Sequence, residues 1–145
     1  MSRLPRQHPT IEEDGWRLHS AEERHAAHPD TFEIPSLEAR TSLLPGDGVK
    51  LLFDIESRKD GRIFDRGVDR MWVIVRMRSE GRYVGILDSE PGKAEGLLLH
   101  AGDEIMFGPE HVAEIGRPSC DYLIEKYGDG FFAEGKCGPT SPCTQ

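Results

Sequence analysis

The residues best equipped for acid–base chemistry are Glu110 with its neighbour His111, and His100 three positions before Asp103. A carboxylate beside an imidazole offers a proton acceptor and a proton donor near neutral pH. Sequence neighbours on an extended strand point to opposite faces, however, so Glu110 and His111 reach one substrate atom only if a bulge intervenes. His19, His25 and His28 gather in one stretch, and the last two share a helix face at spacing three, as two metal ligands would. No carboxylate or cysteine completes that set at a usual spacing, so a solvated helix face is expected and no metal is assigned. Cys120, Cys137 and Cys143 contain no Cys-x-x-Cys pair. Their odd number suits reduced thiols, with oxidised pairing of Cys137 and Cys143 as the alternative. Ser89 lacks a Gly-x-Ser-x-Gly elbow, and no glycine pattern matches a Walker loop or a dinucleotide fingerprint. No catalytic residue and no cofactor is therefore expected.

Binding chemistry has more to work with. Arg70, Trp72, Arg76 and Arg78 alternate with apolar residues along one stretch, and an aromatic ring flanked by guanidinium groups is a familiar interface anchor. Lys50, on a neighbouring apolar stretch, is placed to join them. The net charge is −8, yet residues 50–82 hold nine Lys or Arg against six Asp or Glu, which leaves −11 for the rest. An acidic body repels nucleic acid and attracts a basic partner, so a protein partner is expected and a nucleic acid is not. No apolar run approaches a membrane span, and the N-terminal stretch lacks the apolar core of a signal peptide. The expected location is the cytoplasm, with no membrane partner.

These residues need elements to hold them, and 145 residues suffice for one domain with a real core. The expected organisation is a flexible lead over 1–15, a single domain over 16–128 and a flexible Cys-containing tail over 129–145. Ser20 with Glu23 reads as a capping box opening a short helix that Pro29 stops, and Ser36 caps a second helical turn. Val49, Leu51, Phe53 and Ile55 then recur at period two, the clearest strand in the chain. A charged loop, SRKDGRIFDRGVD, leads to the strand MWVIVRM, with Met71, Val73, Val75 and Met77 expected in the core. Trp72 and Ile74 fall on the other face and need cover from a helix or a partner. Gly81 marks a hairpin into YVGIL, GPEHVAEIG a short strand or helical turn, and CDYLIEKY a closing helix with Gly128 as its C-cap.

A near repeat, LLPGDGVKLLF at 43–53 and LLHAGDEIMF at 98–107, predicts the same corner used twice. In each, leucine anchors in the core, glycine permits the reversal and aspartate bonds the turn backbone. The residues between the copies do not repeat, which argues against internal duplication. Short strands joined in this way predict an α+β fold: a small, strongly bent antiparallel sheet or partly open SH3-like barrel with short N-terminal helices and a C-terminal helix.

The block from Gly46–Phe53 through Met71–Val73 and Gly85–Leu87 to Gly102–Ile115 resembles the YegJ-like bacterial family of domains of unknown function. The resemblance implies a fold and carries no catalytic residue with it. The expected function is a protein-binding or regulatory module, a stoichiometric partner of a basic protein such as a toxin. The alternative is a small hydrolase or ligand-binding protein using Glu110, His111 and Arg70 at a barrel mouth. The two are separated by whether those side chains converge on a pocket.

Overall fold

The computed structural model describes residues 9–91 and 97–128. Six antiparallel strands form one strongly curled sheet, a half-barrel. Strand β1 is Trp16–His19, β2 Gly48–Lys59, β3 Arg62–Ser79, β4 Arg82–Leu87, β5 Glu104–Phe107 and β6 Val112–Gly116. They run β1-β2-β3-β4-β5, and β6 returns to pair with β2. It does so along Gly48–Leu51, while β1 occupies the same edge of β2 from Leu52 to Ile55. Alternation sets the inner face: Val49, Leu51, Phe53 and Ile55 of β2 meet Met71, Val73 and Val75 of β3, Tyr83 and Leu87 of β4, and Ile105 and Phe107 of β5. Most of these are almost wholly excluded from solvent, and each contributes about 1.5–3 kcal/mol through burial.

The repeated Gly-Asp corner is the same structure in both copies. Leu43 and Leu99 sit in the core. Asp47 accepts from the Leu44 N–H at 2.9 Å, and Asp103 accepts from the His100 N–H at 2.9 Å. Gly46 and Gly102, at φ 96° and 92°, adopt the left-handed backbone the turn requires. Each then donates to a neighbouring strand, Gly46 to Val75 and Gly102 to Leu87, and Asp47 and Asp103 accept from those same two residues. Turn chemistry, applied where the chain enters β2 and again where it enters β5, accounts for the repeat.

Helices cover the outer face. The helix α2 (Ala21–Ala27) begins at Ser20, whose hydroxyl accepts from the Glu23 N–H, and α3 (Leu37–Arg40) begins at Ser36, which accepts from the Ala39 N–H. Ala21, Phe32, Leu52 and Ala113 form one outer cluster beneath α2. The C-terminal helix α4 (Cys120–Tyr127), capped by Ser119 and ended at Gly128, lays Leu123 and Tyr127 on Ile74. No helix among the described residues is long and apolar enough to cross a membrane.

Several expectations are corrected. SRKDGRIFDRGVD is mostly strand: β2 and β3 continue past the body as a two-stranded ribbon and reverse at Asp60-Gly61, both at positive φ. A two-residue turn of that kind matches strand twist, and Asp-Gly is a favoured pair for it. Met77 is exposed, because a bulge after Val75 shifts the register and turns it out of the core. Within the stretch read as a loose lead, Ile11–Asp14 (α1) is helical, with Ile11 and Asp14 buried. Cys120 is disulfide-bonded where a thiol was expected. Cys137 and Cys143 lie outside the described residues.

Candidate functional site

Glu110 and His111 do converge, because they belong to a one-turn 3-10 helix, Pro109–His111, and not to a strand. Proline at its first position presets the backbone. His111 Nε2 lies 3.7 Å from Glu110 Oε2, and Arg82 Nη1 lies 3.3 Å from the same oxygen. The Gly108 N–H donates to His111 Nδ1 at 3.0 Å, which assigns the ring proton to Nε2. Burial holds the His111 pKa below its ordinary value, outweighing the upward pull of Glu110. Burial pushes Glu110 up, but its own backbone N–H, His111 and Arg82 together hold it below its ordinary value. Beside the turn, the buried Arg40 donates to Glu22 at 2.6 Å, to the Pro109 carbonyl at 3.0 Å and to the Pro35 carbonyl at 2.9 Å. Nδ1 is thus occupied and Nε2 already protonated, so His111 has no lone pair to offer as a general base. The arrangement locks a turn. Arg70, the third member of the expected barrel-mouth set, is elsewhere: its guanidinium lies over the Phe32 ring at 5.1 Å, with Arg24 over the same ring at 5.5 Å.

The strand-face set divides in a similar way. Trp72 is flanked by an ammonium, not by guanidiniums, with Lys50 Nζ standing 5.0 Å from its ring centroid. The register of β2 and β3 places the two directly opposite one another. The indole is half-buried, and a Cβ at Gly116 would lie only 3.0 Å from it. The end of β6 thus lies against one edge of the indole. Arg76 is engaged elsewhere, pairing with Glu104 of β5 at 2.8 Å. His25 Nδ1 donates to the Phe32 carbonyl, and His28 ends α2, so the histidines hold local structure.

A cleft that no sequence motif announces opens beside β6. Its volume is about 530 Å³. One wall is Glu33–Pro35 with Ala39, Ser42, Leu43 and Asp47, and the other is Ala113–Ile115 with Arg117. The first wall is firmly held: Phe32 is sunk in the outer cluster, Leu43 in the core, and Arg40 ties Pro35 to Pro109. Three carboxylates, Glu33, Asp47 and Glu114, face one guanidinium in this lining. Arg117 lies 3.7 Å from Asp47, and Glu114 lies 3.7 Å from Lys50, the residue that covers Trp72. Glu33 is exposed and makes no hydrogen bond or ion pair among the described residues. Along the same cleft, β6 pairs with β2 by one edge only, and no described strand pairs with the other.

The cleft is open, and its lining combines the apolar Ile34, Leu43 and Ile115 with the carboxylates of Glu33, Asp47 and Glu114. The sequence reading missed it because its walls come from residues 33–47 and 113–117, which only the fold brings together. Comparison of the chain with protein-family models, with curated proteins and with solved structures finds no match in any of the three.

Proposed function

We propose that this protein is a binding module that receives a basic, partly apolar segment of a protein partner in the cleft beside β6. The observation that carries the reading is the charge left over there: Glu33 has no partner among the described residues, and the lining carboxylates outnumber the one cation. The net charge of −8 works in the same direction, because an acidic surface accelerates encounter with a cationic partner and discourages acidic ones. A stoichiometric complex with a basic protein such as a toxin is the setting this reading favours. Lys50 pairs with Glu114 of the cleft lining at 3.7 Å and stands over Trp72, which gives these two a supporting role in binding.

The test uses a fluorescein-labelled heptapeptide of alternating lysine and valine, followed by anisotropy. At low salt the Glu33→Gln/Glu114→Gln variant is expected to bind about fivefold to tenfold more weakly than the wild type. That gap is expected to close at about 0.5 M salt, where exposed charges are screened. Equal affinity for wild type and variant at low salt, or equal binding of a glutamate–valine heptapeptide, would overturn the reading.

A further inference from the structure

The cleft has a second property besides its charge, and it concerns the backbone. β6 is five residues long and, among the described residues, hydrogen-bonds to β2 along a single edge. A strand edge without a neighbour presents N–H and C=O groups at strand spacing, a template for one more strand. The cleft lies against Ala113, Glu114 and Ile115 of this strand. We infer that the partner segment binds extended, as an added strand on the free edge of β6. The inference rests on the proposed function and states how the cleft is used.

The side chains of β6 define what such a strand must carry. Ile115 packs with the inner core, whereas Glu114 pairs with Lys50 on the outer face. A strand laid alongside alternates in the same way, so one set of its side chains meets the apolar base near Leu43 and Ile115. The other set emerges beside Glu114, and Glu33 on the facing wall adds to the negative field there. Alternating apolar and basic residues satisfy both faces. A second copy of this chain does not fit, because pairing β6 with β6 would bring the Glu114 carboxylates of the two copies close together.

Strand addition uses the amides of one edge of the peptide, whereas docking through side chains uses neither edge. Two versions of the lysine–valine heptapeptide, N-methylated on odd or on even residues, separate the two modes. The expected result is that one version binds at least about tenfold more weakly and the other stays within about twofold of the parent. In parallel, amide exchange at Ala113–Gly116 is expected to slow when the parent peptide is added. Both versions binding like the parent, or both losing affinity alike, overturns strand addition but leaves the cleft reading intact. No binding of the parent peptide overturns both.

Discussion

Asp88, after β4, and Glu33, in the wall of the cleft, are acidic residues that the fold treats in opposite ways. Asp88 follows β4, donates its N–H to the Trp72 carbonyl, and accepts from Tyr122 at 2.7 Å, from Lys126 at 2.9 Å and from Tyr127. Burial pushes its carboxyl up, but Tyr127, Lys126 and Tyr122 outweigh that and hold it below its ordinary value. Both carboxylate oxygens are engaged in pinning α4 to the sheet. Glu33, in the wall of the cleft, is held by a rigid segment but engages nothing among the described residues. A carboxylate whose lone pairs are filled from within serves stability, and one kept in place without a partner is available to a ligand.

The largest expected effect lies on the Asp88 side of this contrast. Asp88→Ala should destabilise the protein by about 2–3 kcal/mol in urea unfolding, since it strips a charged acceptor from three donors. A loss under about 0.5 kcal/mol would mean that Leu123 on Ile74 suffices to hold α4. The same cluster sets limits at both ends of the pH scale. Because Asp88 titrates below its ordinary value of 3.8, its contribution is present above that pH and fades as acid protonates it. Tyr127 is pushed above its ordinary 10.0 by burial and by Asp88, and Lys126 above its ordinary 10.5 by its bond to Asp88. Both favour the protonated fold, so stability falls as pH rises past 10, and Tyr127→Phe should flatten that limb in a pH series of thermal melts.

Asp54 offers an intermediate case. It is nearly buried and takes Arg66 at 3.1 Å and Arg17 at 3.1 Å, which together hold its pKa below the ordinary value against the upward push of burial. Asp54→Asn is expected to cost about 1–2 kcal/mol, less than Asp88→Ala because both arginines remain half in water. A cost equal to that of Asp88→Ala would remove the distinction between the two sites.

A smaller effect is expected at His111. Its folded pKa is depressed, so the unfolded chain takes up the proton first and stability declines as pH falls below about 6.5. Protonation would also end the bond from Gly108. His111→Asn, which keeps an acceptor, should lessen the decline in thermal melts between about pH 7 and pH 5. An unchanged decline would assign it to the other histidines. Smallest of all in stability, Glu33→Gln should stay within about 0.5 kcal/mol of wild type while weakening the lysine–valine peptide. Loss of stability with no loss of binding would reverse the contrast on which the account is built.

Much of the fold is legible in the sequence because local chemistry dictates it. The caps at Ser20 and Ser36, the Gly81 hairpin, the two Gly-Asp corners and the period-two pattern of Val49–Ile55 each depend on residues a few positions apart. The ribbon over residues 57–65 was missed because, with no body beneath it, it carries charge on both faces and shows no alternation. Its Asp60-Gly61 turn was the signal available. Met77 was misplaced because a bulge resets which face later residues occupy, and periodicity alone does not reveal a bulge. The candidate site was largely hidden for another reason. Lys50 and Trp72 were singled out and do meet, but the cleft, which takes in the Lys50 partner Glu114, depends on long-range closure of β6 onto β2, which no local pattern encodes.

The central claim is that Glu33, without a partner among the described residues, marks where a basic strand binds. It is tested most directly by amide chemical-shift mapping of the ¹⁵N-labelled protein during titration with the lysine–valine heptapeptide. The account predicts shifts confined to residues 33–47 and 113–117, with Asp88 and α4 unmoved. Saturable shifts centred on Arg82, Glu110 and His111, or an absence of saturable shifts in the cleft, would contradict it.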